Sequence, residues 1–127
     1  MIDGEEAAFR LGIEQFNRQE FFAAHETWEA IWLASAGRDK VFLQGIIQLA
    51  AAFHHWRGGN TRGALSLLRR GLDKLARFPR SYRGIGVDRL RRQAAACVEA
   101  LTRGPAAPPD RLPRIDWESA LLPGGHR

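Results

Sequence analysis

The chain has 127 residues, enough for a single domain with a buried core, and its one cysteine, Cys97, excludes an internal disulfide and favours a reducing compartment. The net charge of +5 is unevenly spread, because residues 1–56 hold four basic and eight acidic residues, whereas residues 57–127 hold fifteen and six. This asymmetry favours self-association, as in a homodimer, or an acidic partner. Seventeen of the nineteen basic residues are arginine, which is also typical of a GC-rich genome.

Neither a secretion signal nor a membrane span is expected. The first residues, MIDGEEAAF, are acidic where a signal peptide is basic, and the longest apolar run, residues 46–53, is short and interrupted by Gln48. We therefore expect a cytoplasmic protein that does not contact a membrane.

Helical periodicity begins near the start of the chain. Asp3 is a suitable cap for a first helix that ends near Asn17, with Phe9, Ile13 and Phe16 on its inner face. The second helix is predicted over residues 20–34. The third, residues 40–57, opens at Asp39 and is apolar almost all round, which is typical of a central helix.

Two further helices follow in the basic half of the chain. Gly58-Gly59-Asn60 combines a helix stop with an N-cap, so a fourth helix is predicted from Asn60 to about residue 78, where Pro79 ends it. Its inner leucines are Leu65, Leu68, Leu72 and Leu75. A loop over residues 79–86 leads to a fifth helix, residues 87–103, with Val87, Leu90, Ala94, Cys97 and Leu101 facing inward.

These patterns predict an all-α fold. We expect one multihelical bundle of about five main helices over residues 1–104, followed by an extended, proline-rich tail over residues 105–127. No strand alternation is visible. Ile115, Trp117 and Leu121 are the expected anchors of the tail.

The second helix, FFAAHETWEAIWL, places polar groups among aromatic residues. Six residues fall within an arc of roughly 120°: Phe21, Phe22, His25, Trp28, Glu29 and Trp32. The tryptophans are expected in the core, and Glu26 lies at the margin of the arc. A buried carboxylate needs a partner, and the third helix offers Gln44, Gln48 and His55 on one stripe. We therefore predict that the two polar stripes face each other, whereas His54 is expected at the surface.

The predicted cluster of His25, Glu26, Glu29, Gln44, Gln48 and His55 has three interpretations. It is a structural hydrogen-bond network, a ligand pocket, or a metal site in which His25, Glu29 and His55 are ligands and Glu26 is a base. The spacing differs from the His-Glu-x-x-His zinc motif, because Glu29 stands where that motif has its second histidine. No particular cofactor follows from it.

The arginines of the fourth and fifth helices suggest a different partner. Their outward faces suit phosphate contacts, but no nucleic-acid motif and no interleaved aromatic residues accompany them. A solvated face is therefore favoured over a nucleic-acid interface.

The order of three segments resembles a known family. FNRQEFFAAHETWEAIW, FLQGIIQLAAAFHHWRGGN and GALSLL are similar to the domain-of-unknown-function 309 family of small bacterial and archaeal proteins. The resemblance implies an all-α fold and no assigned activity. Recurrent polar positions of the family match His25, Glu26, Glu29, Gln48, His55 and Asn60. Ala23 stands where the family usually has glutamate, which weakens a metal site with many ligands.

Three functions follow from these observations. The first is a non-catalytic interaction or ligand-binding module. The second is a metal-binding protein or hydrolase-like enzyme that uses His25, Glu29 and His55. The third is nucleic-acid binding through the arginine-rich C-terminal half.

Overall fold

A computed structural model of the chain describes residues 4–118, which contain five helices and a two-stranded hairpin. The helices are α1 (Gly4–Asn17), α2 (Phe21–Trp32), α3 (Gly37–Arg57), α4 (Thr61–Leu75) and α5 (Val87–Thr102). The all-α prediction is thus confirmed. The proposed cap Asp3 and the proposed anchor Leu121 lie outside the described residues.

The core forms where the apolar faces of successive helices meet around α3. Phe9 and Phe16 of α1 place their rings 6.4 and 5.9 Å from those of Phe42 and Phe53 of α3, and all four side chains are buried. The predicted inner faces of α1 and α5 are confirmed. Trp28 and Trp56 are buried as expected, whereas Trp32 is half-buried at the edge of the core.

The start of α3 differs from the prediction, whereas the start of α4 agrees with it. α3 begins at Gly37, so Asp39 lies in its first turn and does not cap it. Instead, the Asp39 carboxylate accepts a hydrogen bond from the Tyr82 hydroxyl. At α4 the predicted cap is present, because the side chain of Asn60 accepts from the backbone N–H of Gly63.

The expectation of a loop without strands over residues 79–86 is wrong. β1 (Ser81–Tyr82) and β2 (Ile85–Gly86) pair antiparallel around Arg83-Gly84, and both turn residues have positive φ, 51° and 83°. This geometry suits a two-residue hairpin turn. Arg83 is held there by its position 4.2 Å above the Phe9 ring and by an ion pair with Glu6.

Residues 104–116 have no regular secondary structure but make defined contacts with the bundle. Asn17 makes two hydrogen bonds with the backbone of Ile115, each 2.8 Å, and Gln93 makes two with the backbone of Arg114. Ile115 is buried and Trp117 packs against the core, while the division of the chain at residue 104 stays a prediction.

Within residues 4–118, no helix combines the length and apolar character that crossing a bilayer requires.

Candidate functional site: a histidine-lined pocket between α3 and α4

The inner face of α2 is rotated from the predicted one. Phe21, Ala24 and Trp28 are its buried residues, whereas Phe22 is 53% exposed and the Glu29 side chain is 50% exposed. The prediction that Glu29 is buried against α3 is therefore wrong. The reason is that Ala24, a small residue outside the aromatic arc, packs inward, and Trp28 lies over Gly12 of α1.

The polar stripe of α3 exists, but it does not face the carboxylates of α2. Gln48 accepts a 2.9 Å hydrogen bond from the Lys74 ammonium of α4. The Nδ1 atom of His55 lies 3.2 Å from Nδ2 of Asn60 at the start of α4. Gln44, on the same stripe, is half-buried. The two stripes thus have different partners, and the prediction that they pair with each other is wrong.

A row of four rings connects α2 with the end of α3; we call it the His–Phe stack, formed by His25, Phe22, His54 and His55. The Phe22 ring centroid lies 6.0 Å from that of His25 and 5.2 Å from that of His54, and His54 lies 6.0 Å from His55. The surface position predicted for His54 is confirmed, but its contact with α2 was not expected. Residues 43, 47, 50 and 54 fall on one side of α3 at helical spacing. This spacing is the sequence feature that could have indicated the contact of His54 with α2.

A pocket of about 400 Å³ opens beside this stack; we call it the α3–α4 pocket. Its lining residues come from the α1–α2 turn and the first residue of α2, and from the end of α3 and the turn that follows it: Gln19, Phe21, His54, His55, Arg57, Gly58 and Asn60. Among residues 4–118, no carboxylate lines it. Of the predicted site residues, only His55 lines it, together with the family position Asn60.

The N-cap of α4 fixes the hydrogen-bonding pattern of His55. Asn60 uses its side-chain oxygen to accept from Gly63 N–H at 2.9 Å, so its NH₂ group is the part that lies against His55 Nδ1. An amide NH₂ only donates, and therefore Nδ1 is the acceptor. The neutral ring then carries its proton on Nε2, and His55 offers an N–H donor on the side away from Asn60.

Arg57 adds a positive charge that is held in place. One guanidinium nitrogen donates to the backbone oxygen of Gln19 at 2.5 Å, and the guanidinium carbon lies 5.7 Å from the centroid of the Phe21 ring. A planar guanidinium that uses one donor here retains others for a ligand.

The predicted metal set is not brought together. His25 Nε2 and Glu29 Oε2 are 4.0 Å apart at the surface, Glu26 is exposed, and His55 is bonded to Asn60 instead. Among residues 4–118, no three His, Cys, Asp or Glu side chains form a group that could hold a metal ion. The His25 Nδ1 atom is buried and has no hydrogen-bond partner in this part of the chain.

The arginines of α5 are engaged with acidic neighbours. Arg91 and Arg92 both approach the Asp88 carboxylate, at 4.0 and 3.6 Å, and Arg89 lies 3.1 Å from Asp116. Just beyond the end of α4, Arg77 pairs with Asp73 of that helix at 3.2 Å. These pairs favour a solvated face, and nucleic-acid binding by this surface stays a prediction.

The segment that builds the pocket is the part of the chain that resembles known proteins. Residues 9–67 match the family model described as Domain of unknown function (DUF309), which confirms the resemblance seen in the motifs. The similarity to this family thus extends from α1 into α4.

One relative matches this chain over only part of its own length. A protein of Aquifex aeolicus (strain VF5), described as an uncharacterized protein, is 30% identical over 77 residues, which are 60% of this chain and 23% of that protein. The chain thus matches less than a quarter of the length of this relative.

Proposed function

We propose that the chain is a non-catalytic ligand-binding module and that the α3–α4 pocket binds a small molecule through an oxyanion, such as a phosphate or carboxylate group. The observation that carries the proposal is the fixed His55–Asn60 pair, which leaves the His55 Nε2–H as a donor in a pocket to which none of the described residues contributes a carboxylate. The ionised oxygens of a phosphate or carboxylate group accept hydrogen bonds, so they match such a lining.

The positive charge of the site supports an anion over a neutral acceptor. Arg57 is anchored to Gln19 and stacked near Phe21, so little of its side-chain freedom remains to be lost when a ligand binds. His54 and Asn60 add further polar edges, and the Phe21 ring gives an apolar floor. This combination of an apolar wall with a few oriented polar groups is typical of small-molecule sites.

The contacts give less support to the enzyme or metalloprotein alternative. A proton-transfer pair needs hydrogen-bond contact, and His25 and Glu29 are 4.0 Å apart at an exposed surface. His55 does not join these two residues, because it is bonded to Asn60 instead. Binding by the α3–α4 pocket needs no rearrangement of these residues.

The test is a titration of isotope-labelled protein with inorganic phosphate and, separately, acetate, followed by the amide and histidine-ring resonances. Binding in the pocket predicts saturable shifts centred on His55, Asn60 and Gly63. Arg57→Gln should weaken phosphate binding about tenfold because it removes the charged donor. The matched control is Arg62→Gln, which removes the same charge from an exposed position on α4 that does not line the pocket.

Two outcomes decide the proposal. A loss of affinity in Arg57→Gln with less than about a twofold change in Arg62→Gln supports a defined site, since general electrostatic attraction would respond to both. Equal effects of the two substitutions, or shifts that avoid His55 and Asn60, would show that the pocket is not the binding site.

An interaction surface is the second candidate function, because apolar side chains are exposed on one face of α2. Phe22 and Leu33 are 53% and 69% exposed, and Glu26 and Glu29 lie between them on the same stripe. We propose that this stripe forms the homodimer contact expected from the charge asymmetry. Sedimentation of the Leu33→Lys variant tests this contact. If the protein is dimeric without the substitution and the variant has the same mass, the stripe is excluded as the dimer contact. The cytoplasmic location expected from the sequence is likewise a proposal.

A further inference from the structure

A second, larger recess lies on the opposite side of Gln19, between α5, the end of α3 and residues 106–114; we call it the tail groove. It encloses about 960 Å³, near the upper end of the range of small-ligand sites. Its apolar lining is made mostly of small residues and prolines, among them Ala96, Cys97, Ala100 and Pro109, together with the larger Trp56 and Leu112.

The walls of the tail groove are fixed before any ligand arrives. The indole N–H of Trp56 donates to the backbone oxygen of Ala106 at 2.7 Å, which ties one wall to the other. At the opposite end, Asn17 and Gln93 hold the backbone of Ile115 and Arg114 by two hydrogen bonds each. A recess that is already formed requires little ordering when a ligand binds.

The charge of the lining is one-sided. Of the residues between positions 4 and 118, Arg111 and Arg114 contribute the ionised groups of the lining, and none contributes a carboxylate. Arg114 makes a long hydrogen bond, 3.5 Å, to the Asn17 carbonyl. Arg111 is exposed and makes no hydrogen bond or ion pair with another residue between positions 4 and 118. An unpaired guanidinium beside an apolar recess complements an acid that carries an apolar body.

We propose that the tail groove binds an amphiphilic organic acid, a molecule with an apolar body and one carboxylate. The body occupies the alanine-lined space beside α5, and the carboxylate pairs with Arg111. This site is separate from the α3–α4 pocket, although Gln19 contributes to both linings. A ligand of this kind gains from apolar burial and from one charge-assisted contact, so loss of either half should weaken binding.

The experiment uses anilinonaphthalene sulfonate as a fluorescent probe and decanoate as its competitor, with decanol as the uncharged match. Decanoate should displace the probe at a concentration about tenfold lower than decanol does, because only decanoate has the carboxylate. Ala96→Trp should abolish probe binding by filling the groove. Ala95→Trp is the matched control, since Ala95 is the exposed neighbour on α5 that lines a different surface next to α4.

The charge is tested by a second matched pair. Arg111→Gln should weaken decanoate about tenfold and leave decanol unchanged, whereas Arg103→Gln, at an exposed position outside the groove, should change neither. Cys97 reports on location, because it is the single cysteine and lines the groove. Decanoate should therefore slow its alkylation at alkaline pH.

The proposal is overturned if the two tryptophan variants bind the probe equally, or if decanoate and decanol compete equally well. It is also overturned if decanoate leaves the alkylation rate of Cys97 unchanged. These outcomes do not depend on phosphate binding by the α3–α4 pocket, so the two proposals fail separately.

Discussion

Gly12 shows how strongly one atom can matter in this core. A Cβ at this position would lie 2.0 Å from Nε1 of Trp28, which is fully buried and donates to the Phe9 carbonyl at 3.1 Å. We expect Gly12→Ala to lower the free energy of unfolding by about 1–3 kcal/mol, because the indole has no space into which it can move. Urea denaturation measures this change.

Gly4→Ala is the control for that prediction. It lies in the same helix, and an added Cβ would meet nothing within 4 Å. Alanine should there be neutral or slightly stabilising, because it has the higher helix propensity. Equal stability of Gly12→Ala and Gly4→Ala would contradict the close packing of Trp28 on α1.

Glu29 is expected to contribute little to stability, although it lies in the motif that resembles the family. Its half-exposed side chain has His25 at 4.0 Å as its ion-pair neighbour, and exposed pairs of this kind contribute less than about 1 kcal/mol. Glu29→Ala and Glu29→Gln should both remain within about 0.5 kcal/mol of the unmodified protein in thermal unfolding. A loss of several kcal/mol would instead support the buried hydrogen-bond network that the sequence predicted.

Cys97 should give the protein a pH dependence at alkaline values. Burial raises the pKa of its thiol to about 11. In the unfolded chain the thiol ionises at about pH 8.5. Burial of the neutral thiol therefore contributes fully to the free energy of unfolding below that pH, and this contribution is lost as the pH rises towards 11. The difference in unfolding free energy between the unmodified protein and Cys97→Ala should therefore be constant up to about pH 8 and change above it.

Comparison with Cys97→Ala isolates this thiol, because tyrosine and lysine titrate equally in both proteins. A difference that stays constant from neutral to strongly alkaline pH would show that the thiol is accessible to water in the folded state.

At the scale of elements, α1, α3 and α5 followed their periodicity, α4 followed it in part, and α2 did not. α3 is apolar on nearly every side, so its central place did not depend on choosing a face. The large apolar residues of α2 cover about half of its circumference. Hydrophobicity alone favoured the arc with most aromatic area. The deciding contact is between Trp28 and Gly12, a steric fit between two helices that no single-helix pattern contains.

The same reasoning applies to α4, whose inner stripe was partly predicted. Leu68 and Leu75 are fully buried, whereas Leu65 and Leu72 are half-buried, because Ala64 and Gly71 occupy the centre of the contact. A Cβ on Gly71 would lie 2.9 Å from the Gly45 carbonyl of α3, so the two backbones approach closely at this point. Small residues therefore set the face of both α2 and α4.

Leu68→Ala tests the packing between α3 and α4. Leu68 is 0% exposed, and we expect its truncation to cost about 2–5 kcal/mol in the free energy of unfolding, as for other buried leucines. Leu33→Ala is the control, since Leu33 is 69% exposed and its truncation should change stability by less than about 0.5 kcal/mol. Near-equal values for the two would mean that Leu68 is not in the core.

At the scale of the whole molecule, the helices were predictable and the path of the tail was not. Periodicity and stop signals are local, so they located five helices to within a few residues. The tail is placed by contacts distant in sequence, such as Asn17 with Ile115 and Gln93 with Arg114. The tail groove and its two arginines follow from that path, and so they could not be predicted. His54 and Arg57 were missed for a related reason, because their roles depend on neighbours from other helices.

Asn17 holds the tail to α1, and its removal gives the last prediction. Its amide pairs with both the N–H and the carbonyl of Ile115, at 2.8 Å each, in a partly buried setting. Asn17→Ala removes both bonds and leaves two backbone groups without these partners, which should cost about 1–3 kcal/mol. Hydrogen exchange should show faster exchange at the Ile115 amide, and trypsin should cleave sooner after Arg111 or Arg114, while amides in α3 keep their protection.

Glu14→Ala is the matched control for the tail, because it lies one turn earlier on an exposed position of α1. It should leave exchange at Ile115 unchanged. If Asn17→Ala also leaves it unchanged, the tail is held by its buried apolar residues, Leu112 and Ile115, and the amide contributes little. If exchange rises and probe binding in the tail groove falls with it, the clamp at Asn17 is what keeps the groove in shape for its ligand.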